Sequence, residues 1–326
     1  MARILDGHDP QHLAEAVDAL VAGRLVAFPT ETVYGLGANA ADDAAVARIF
    51  AAKGRPADHP LIVHVAHMEA SQPLAAAIPP AAQSLMTAFW PGPLTVIVPR
   101  RPGVAEAAAG GQDTIGLRCP AHPVARALLE ACARRGVPGL AGPSANQFGR
   151  VSPTTAEHVA GEFDADVLVL DGGACQVGIE STIVDCSRGR PVLLRPGMIG
   201  RAEIEAVLNE PLLDRDAQAP RAPGTLEAHY APRAQLRLMS ADILQTALQV
   251  LGDSSPKLAL YSRTVRAPRG MQYRRMPADA AEAAQQLFAV LREFDAAGAE
   301  LIWVESPPSS PEWDGVRDRL ARAAAS

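Results

Sequence analysis

The sequence predicts an α/β protein of two parts: a larger domain over residues 1–208, a linker over 209–235 and a smaller domain over 236–326. Three observations predict this. Short β-branched apolar runs alternate with amphipathic stretches out to about residue 210, the pattern of helices packed on a largely buried sheet. The segment "NEPLLDRDAQAPRAPGTLEAHYAPR" (209–233) is then rich in proline and polar residues and sustains no period. Beyond it, strand and helix patterns resume without repeating the first part.

Residues 11–22 space apolar side chains with the helical period, and Gly23 is placed to close that helix; "RLVAFPT" reads as a strand ending at Pro29. A helix over 42–53 starts on Asp42 as N-cap and stops at Gly54. "PLIVHV" and "LTVIVP" are nearly continuous apolar runs, as in strands covered on both faces. "TIGLRCP", a helix at 123–134, "GLAGPSAN", a helix at 154–161, "DVLVLDGG", "STIVDCS" and "PVLLRPG" complete the first part. In the second, "LRLMS", a helix at 241–251, "KLALYS", a helix at 279–297, "ELIWVES" and a helix at 311–324 follow one another.

Composition narrows the function. Aromatics are 4 % of the 326 residues, so the cores are built from Val, Leu, Ile and Ala. A formal charge of −6 gives no general attraction to nucleic acid or anionic membrane, so any anion site must be a local cluster of Arg and Lys. Cys119, Cys132, Cys175 and Cys186 form no C-x-x-C pair and have no His at zinc-ligand spacing, which predicts reduced structural thiols in a cytoplasmic protein. Neither a signal core near residue 1 nor an apolar run of about 18 residues occurs, so no leader and no membrane span are expected.

Four stretches of the first part place small residues and polar groups after strands, where ligand sites of open α/β sheets lie: "PTETVYGLGANA" (29–40), "KGRPADHP" (53–60), "GPSANQFGRVSPT" (142–154) and "GIEST" (178–182). None is a phosphate loop or a dinucleotide fingerprint. Lys53 and Lys257 are the two lysines among 30 basic side chains. Lys53 reads either as a helix-end charge favoured by the macrodipole, or as a mobile point charge that Arg cannot replace. With Arg55, Arg118 and Arg195 it forms a positive set of the size of a triphosphate. Ser144 and Asn146 read as an oriented hydroxyl and amide or as an ordinary turn. His64 reads as a core histidine or a ligand, and Glu180 as a strand-end charge or a residue that orients a neighbour. No nucleophile elbow or Ser-His-Asp set is present.

Taken with "WPGPLTVIV", "GLRCPAHP" and "LLRPG", in this order and over nearly all of residues 10–200, these stretches resemble the signature blocks of the YrdC/Sua5 family of threonylcarbamoyl-AMP synthases. "APGTLEAHYAPR" and the second domain resemble the Sua5 branch. The resemblance implies a twisted open sheet with helices around a positively charged cavity, followed by a smaller Rossmann-like α/β domain. It implies a nucleotidyltransferase that joins L-threonine, bicarbonate or CO2 and ATP into threonylcarbamoyl-AMP and releases pyrophosphate. The product passes to the tRNA threonylcarbamoyl transferase machinery for t6A37 synthesis. The implied catalytic tetrad is Lys53, Arg55, Ser144 and Asn146. The implied threonine pocket is Thr32, His64, Arg118, Ser144 and Ser181. The implied ATP contacts are Arg55, His59, Thr114, Asn146, Thr154, Arg195 and Tyr230. His59 stands where Asn is commoner in the family, and Pro223-Gly224-Thr225 where Pro-Gly-Met is commoner. Mg2+ is expected on the nucleotide, held by phosphates and water, with no dedicated protein cage.

Such chemistry consists of alignment and of neutralising charge on phosphorus and the leaving pyrophosphate, and three anionic reactants explain clustered cations in an acidic chain. A non-catalytic RNA-binding module using the same basic cavity is the alternative. It predicts aromatics among the basic residues for stacking, whereas the loops offer only Tyr34 and Phe148. Neither membrane nor stable nucleic-acid partners are expected. A carbamoyl-adenylate domain of a hydrogenase maturation factor would need acylphosphatase-like and zinc-finger segments, which the sequence lacks.

Overall fold

A computed structural model of the chain describes residues 2–251 and 257–326. They divide into two units, Met1–Phe148 with Ser152–Thr225, and Gly149–Val151 with Leu226–Ser326.

The strands of the first unit are β1 (Arg3–Asp6), β2 (Val26–Phe28), β3 (Gly35–Asn39), β4 (Ile62–His64), β5 (Leu94–Pro99), β6 (Thr114–Arg118), β7 (Leu140–Ala141), β8 (Leu168–Asp171), β9 (Thr182–Asp185), β10 (Val192–Arg195) and β11 (Leu213–Asp214). They form one mixed sheet in the order β1-β8-β2-β3-β7-β4-β6-β5-β9-β10-β11. Its helices are α1 (Pro10–Val21), α2 (Asp43–Lys53), α3 (Pro80–Phe89), α4 (Pro123–Arg134), α5 (Ala156–Ala160) and α6 (Arg201–Leu208). The apolar runs fall at the sheet's centre: every residue of β4 is buried, and so are Leu94–Val98 of β5.

Helix ends follow their caps. The Asp42 side chain accepts from the N–H groups of Ala44 and Ala45, and Gly54, at φ 61°, closes α2 in the left-handed conformation. That pair of stops fixes Lys53 in the last turn. The helix read at 154–161 is shorter, because Thr155 caps it from inside that span by accepting from His158 N–H. "GLGANA", read above as part of a loop, contains β3. Glycines have low strand propensity but are needed here, since a Cβ on Gly37 would lie 2.9 Å from the Phe28 ring. β1, α3, α6 and β11 were not read from the sequence.

The polar segment from 209 divides between the units. Through Thr225 it belongs to the first, because β11 pairs in parallel with β10 and two of its apolar residues are buried. Leu212 joins the main core, and Ala222 joins Ile62, Ile97, Ile183, Val192 and Leu194. Arg221 pins the strap: its guanidinium donates to Asp58 at 2.7 Å and to the Gly110 carbonyl at 3.2 Å. The Gln112 amide grips the Arg221 backbone from both sides, at 2.8 and 3.1 Å.

The second unit is a four-stranded, all-parallel sheet, β12 (Gln235–Met239), β15 (Leu301–Glu305), β13 (Leu258–Ser262) and β14 (Gln272–Arg275) in spatial order, with α7 (Ala241–Leu251), α8 (Ala280–Ala296) and α9 (Asp314–Ala324). Buried Glu305 ends β15 and accepts from Ser262 Oγ at 2.6 Å, Arg263 N–H at 2.9 Å and Thr264 N–H at 2.8 Å, which fixes the turn after β13. No helix among the described residues is long and apolar enough to cross a membrane.

Candidate active site

Backbone hydrogen bonds gather the four chemistry-bearing stretches of the first unit. Leu36 N–H donates to the Pro143 carbonyl and Ala145 N–H to that of Tyr34, both at 2.8 Å, joining "PTETVYG" to "GPSAN". Val177 N–H to the Glu31 carbonyl at 2.8 Å and Gly178 N–H to that of Thr32 at 3.1 Å add "GIEST". Phe148 N–H donates to the Lys53 carbonyl at 2.9 Å and brings in "KGRP". Residues far apart in sequence are thus joined in one hydrogen-bonded group of loops because peptide groups need partners.

Lys53 does not reach into solvent. It is 2 % exposed, and its ammonium donates to the carbonyl of Ser144 at 2.6 Å and to that of Asn146. Burial holds its pKa well below the usual lysine value, and the charge of Arg55 pushes the same way. The expectation of a freely turning cation is therefore corrected: Lys53 ties the Ser144–Asn146 turn to the end of α2. Asn146, also buried, donates through its amide to the Gln147 carbonyl at 2.7 Å. Arg55 donates to the Pro60 carbonyl at 2.9 Å and lies 5.7 Å over the Phe148 ring. His59 meets the edge of that ring at 5.5 Å, and partial burial followed by the Arg55 charge lowers its pKa.

A second cluster surrounds Arg118. Its Nη2 pairs with Glu31 Oε1 at 2.6 Å, its Nη1 donates to Thr32 Oγ1 at 2.8 Å, and its Nε to the Gly92 carbonyl at 3.3 Å. Gly92 is required by the turn after α3, since a Cβ there would sit 2.3 Å from the Phe89 carbonyl. His64 is opposite Arg118 in the parallel β4–β6 register. Burial first, and the Arg118 charge second, push the His64 imidazole down to about 3.

That shift makes a pH prediction. The unfolded chain, with an ordinary imidazole near 6.5, binds the His64 proton before the folded chain does. The stability this neutral histidine contributes is complete above about pH 6.5 and is lost as pH falls toward 3. Urea unfolding of His64→Gln is expected to depend less on pH between 7 and 5 than that of the unaltered protein. An imidazole 13C signal of His64 that titrates between pH 8 and 5 in the folded protein would contradict the burial argument.

A third cluster is built on Arg195, 2 % exposed, whose guanidinium holds the Ser181 carbonyl (3.0 and 2.9 Å), the Ser181 hydroxyl (3.1 Å) and the Pro223 carbonyl of the strap (3.0 Å). Ser181 Oγ also bonds Thr95 Oγ1 at 2.8 Å. Thr154 is buried and its carbonyl accepts from Cys175 N–H at 2.9 Å, while half-buried Thr114 opens β6. Tyr230 is the exception among the sequence-derived candidates. It belongs to the second unit, at φ 63°, stacked on Phe288 at 5.5 Å and beneath Arg319 at 5.5 Å.

Sequence reasoning missed Glu31, Thr30 and Thr95. Thr30 Oγ1 bonds Thr32 Oγ1 at 2.8 Å, so the run Thr30–Thr32 works as one piece. The signal available was an acid between two threonines immediately after a strand.

With this geometry in place, comparison with known proteins gives a consistent answer. A family model described as telomere recombination, covering Sua5, YciO and YrdC, matches residues 18–197, and one described as the threonylcarbamoyl-AMP synthase C-terminal domain matches 199–325. A Pyrococcus abyssi protein named threonylcarbamoyl-AMP synthase is 39 % identical over 92 % of this chain and 90 % of its own. A Bacillus subtilis protein of the same name is 38 % identical over 98 % and 94 %. The crystal structure of P. abyssi Sua5 complexed with L-threonine superposes with a TM-score of 0.88 at 35 % identity, covering 99 % of this chain and 97 % of that one.

Proposed function

Because the chain belongs to the Sua5/YciO/YrdC family and is an enzyme related to the threonylcarbamoyl-AMP synthases, we propose that it condenses L-threonine, bicarbonate or CO2 and ATP to threonylcarbamoyl-AMP with release of pyrophosphate, for tRNA t6A37 modification. The observation that carries this reading is the gathering of four buried basic side chains, Lys53, Arg55, Arg195 and the Glu31-paired Arg118, on one set of hydrogen-bonded loops.

The neutral amine of threonine attacks CO2 and gives up one N–H proton to solvent. The resulting N-carboxylate attacks the α-phosphorus of ATP, breaking the bond to the bridging oxygen with pyrophosphate as the leaving group. Arg118 with Thr32 and Ser181 with Arg195 bind and orient the amino acid and the nucleotide. Lys53, Arg55, Ser144 and Asn146 hold the turn on which the carbamate and α-phosphate meet, and Arg195 offsets charge released on the phosphates. His59, Thr114 and Thr154 complete the nucleotide set in this reading. Mg2+ arrives in this reading as part of the nucleotide substrate, held by phosphates and water, and no step is assigned to it. The adenylate then passes to a transferase that acts on tRNA.

Pyrophosphate release is expected only when threonine, bicarbonate and Mg-ATP are all present; equal release without threonine would sink the proposal. Serine is expected to be about 10–200-fold poorer, the value of one methyl group in a fitted pocket.

The strap ending at Thr225 acts in this reading as a lid that excludes water from a labile carbamate. Proteolysis between 215 and 225 is expected to slow when ATP and threonine are bound together. Arg221→Ala, which removes the contacts to Asp58 and Gly110, should speed it. Cleavage rates indifferent to both changes would make the strap a passive spacer.

A further inference from the structure

Resting on the reading above, we propose that Glu31 is a positioning residue that makes the Arg118 subsite select a zwitterionic α-amino acid and refuse free anions. Glu31 and Arg118 are 5 % and 3 % exposed, and their side chains meet at 2.6 Å. The second Glu31 oxygen accepts from Ala121 N–H at 3.1 Å, so the carboxylate is fixed at both ends. Its backbone carbonyl is held by Val177 N–H at 2.8 Å. Thr32 Oγ1 and the Gly92 carbonyl fix Arg118 on its other sides at 2.8 and 3.3 Å. The guanidinium is therefore locked in one orientation, with its charge matched inside the protein.

The chemistry makes that match necessary. A buried guanidinium without a counter-charge attracts any small anion, and this reaction brings bicarbonate, triphosphate and pyrophosphate to the same unit. Lys53 is met by backbone carbonyls, which suits a place where anions must bind. Arg118 is met by a carboxylate. A neutral Arg–Glu pair offers a donor for the carboxylate of an amino acid and an acceptor for its amine. An inorganic anion can use only the first and is repelled by the second. Removing the acid while keeping its shape should open the amino-acid subsite to anions.

The test is inhibition of threonine-dependent pyrophosphate release by sulfate and by inorganic phosphate. In the unaltered protein both are expected to compete with ATP and not with threonine. In Glu31→Gln sulfate becomes competitive with threonine, its inhibition constant falling on the order of tenfold. Glu31→Asp keeps the charge and should keep the resistance to anions even where turnover drops. A merely structural role would lower turnover without changing which substrate sulfate competes with. Sulfate already competing with threonine in the unaltered protein, or an unchanged pattern in Glu31→Gln, overturns the proposal. Should Glu31→Gln fail to fold, the unaltered protein and Glu31→Asp still decide it. If threonine stimulates no pyrophosphate release at all, the functional reading has failed instead. Glu31 is then judged by thermal unfolding alone: sulfate must stabilise Glu31→Gln and leave the unaltered protein unmoved.

Discussion

Replacing Lys53 by Met is expected to abolish at least 99 % of turnover while the chain still folds, and replacing it by Arg is expected to cost both turnover and stability. Methionine has nearly the volume of the lysine and sits without strain in a site that is 2 % exposed. It leaves the Ser144 and Asn146 carbonyls without the ammonium that now bonds them. Each lost donor is worth about 1–3 kcal/mol, partly offset because a costly buried cation has gone. Arginine keeps the charge but must fit a wider planar fork into the same space, an overpacking cost of about 1–3 kcal/mol. A loss of at least a hundredfold is the scale seen when one aligned charge-stabilising donor is removed. Single-turnover pyrophosphate release and urea unfolding separate the two effects. Near-normal turnover in Lys53→Arg would leave Lys53 as a structural tie between α2 and the Ser144–Asn146 turn with no part in turnover.

Arg118→Met is expected to destabilise the first unit by about 3–5 kcal/mol. It strands the Glu31 carboxylate in a site that is 5 % exposed. At roughly 2–4 °C per kcal/mol for a unit of this size, thermal unfolding should fall by about 6–20 °C. The double variant Glu31→Leu with Arg118→Met removes both charges and should regain part of that stability, because a buried pair replaced by apolar groups costs little. Threonine-dependent pyrophosphate release is expected to be absent in both. A single variant that melts with the unaltered protein would show that the 2.6 Å pair carries no weight.

How far the fold was legible depends on whether a signal was local. α2 is read within a residue of its ends because Asp42 and Gly54 are start and stop signals written into the chain itself. β3 was hidden because its glycines are demanded by the Phe28 ring, a neighbour that no local pattern reveals. The site divides the same way. Lys53, Arg55, Ser144 and Asn146 are legible as a set through the resemblance to the YrdC/Sua5 signature blocks; residue by residue, Lys53 also reads as a helix-end charge and Ser144 with Asn146 as an ordinary turn. Glu31 is not legible, since its partner lies 87 residues away and an acid after a strand ordinarily faces water. Tyr230 was readable as a conspicuous aromatic in a polar segment, but its packing on Phe288 depends on the fold of the second unit.

The short strand β11 and the strap after it have a consequence for how small this catalytic piece can be made. β11 occupies the outer side of β10, and Ala222 covers Ile62, Ile97, Ile183, Val192 and Leu194. A chain ended at 208 would retain every cation of the three clusters and still present β10 as a bare sheet edge beside an uncovered patch of branched aliphatic side chains. Bare edges of that kind recruit strands from other molecules. The shortened protein should therefore self-associate at concentrations where a chain ended at 225 stays dispersed, and a lysine placed outward on β10 should restore its solubility without restoring the strap.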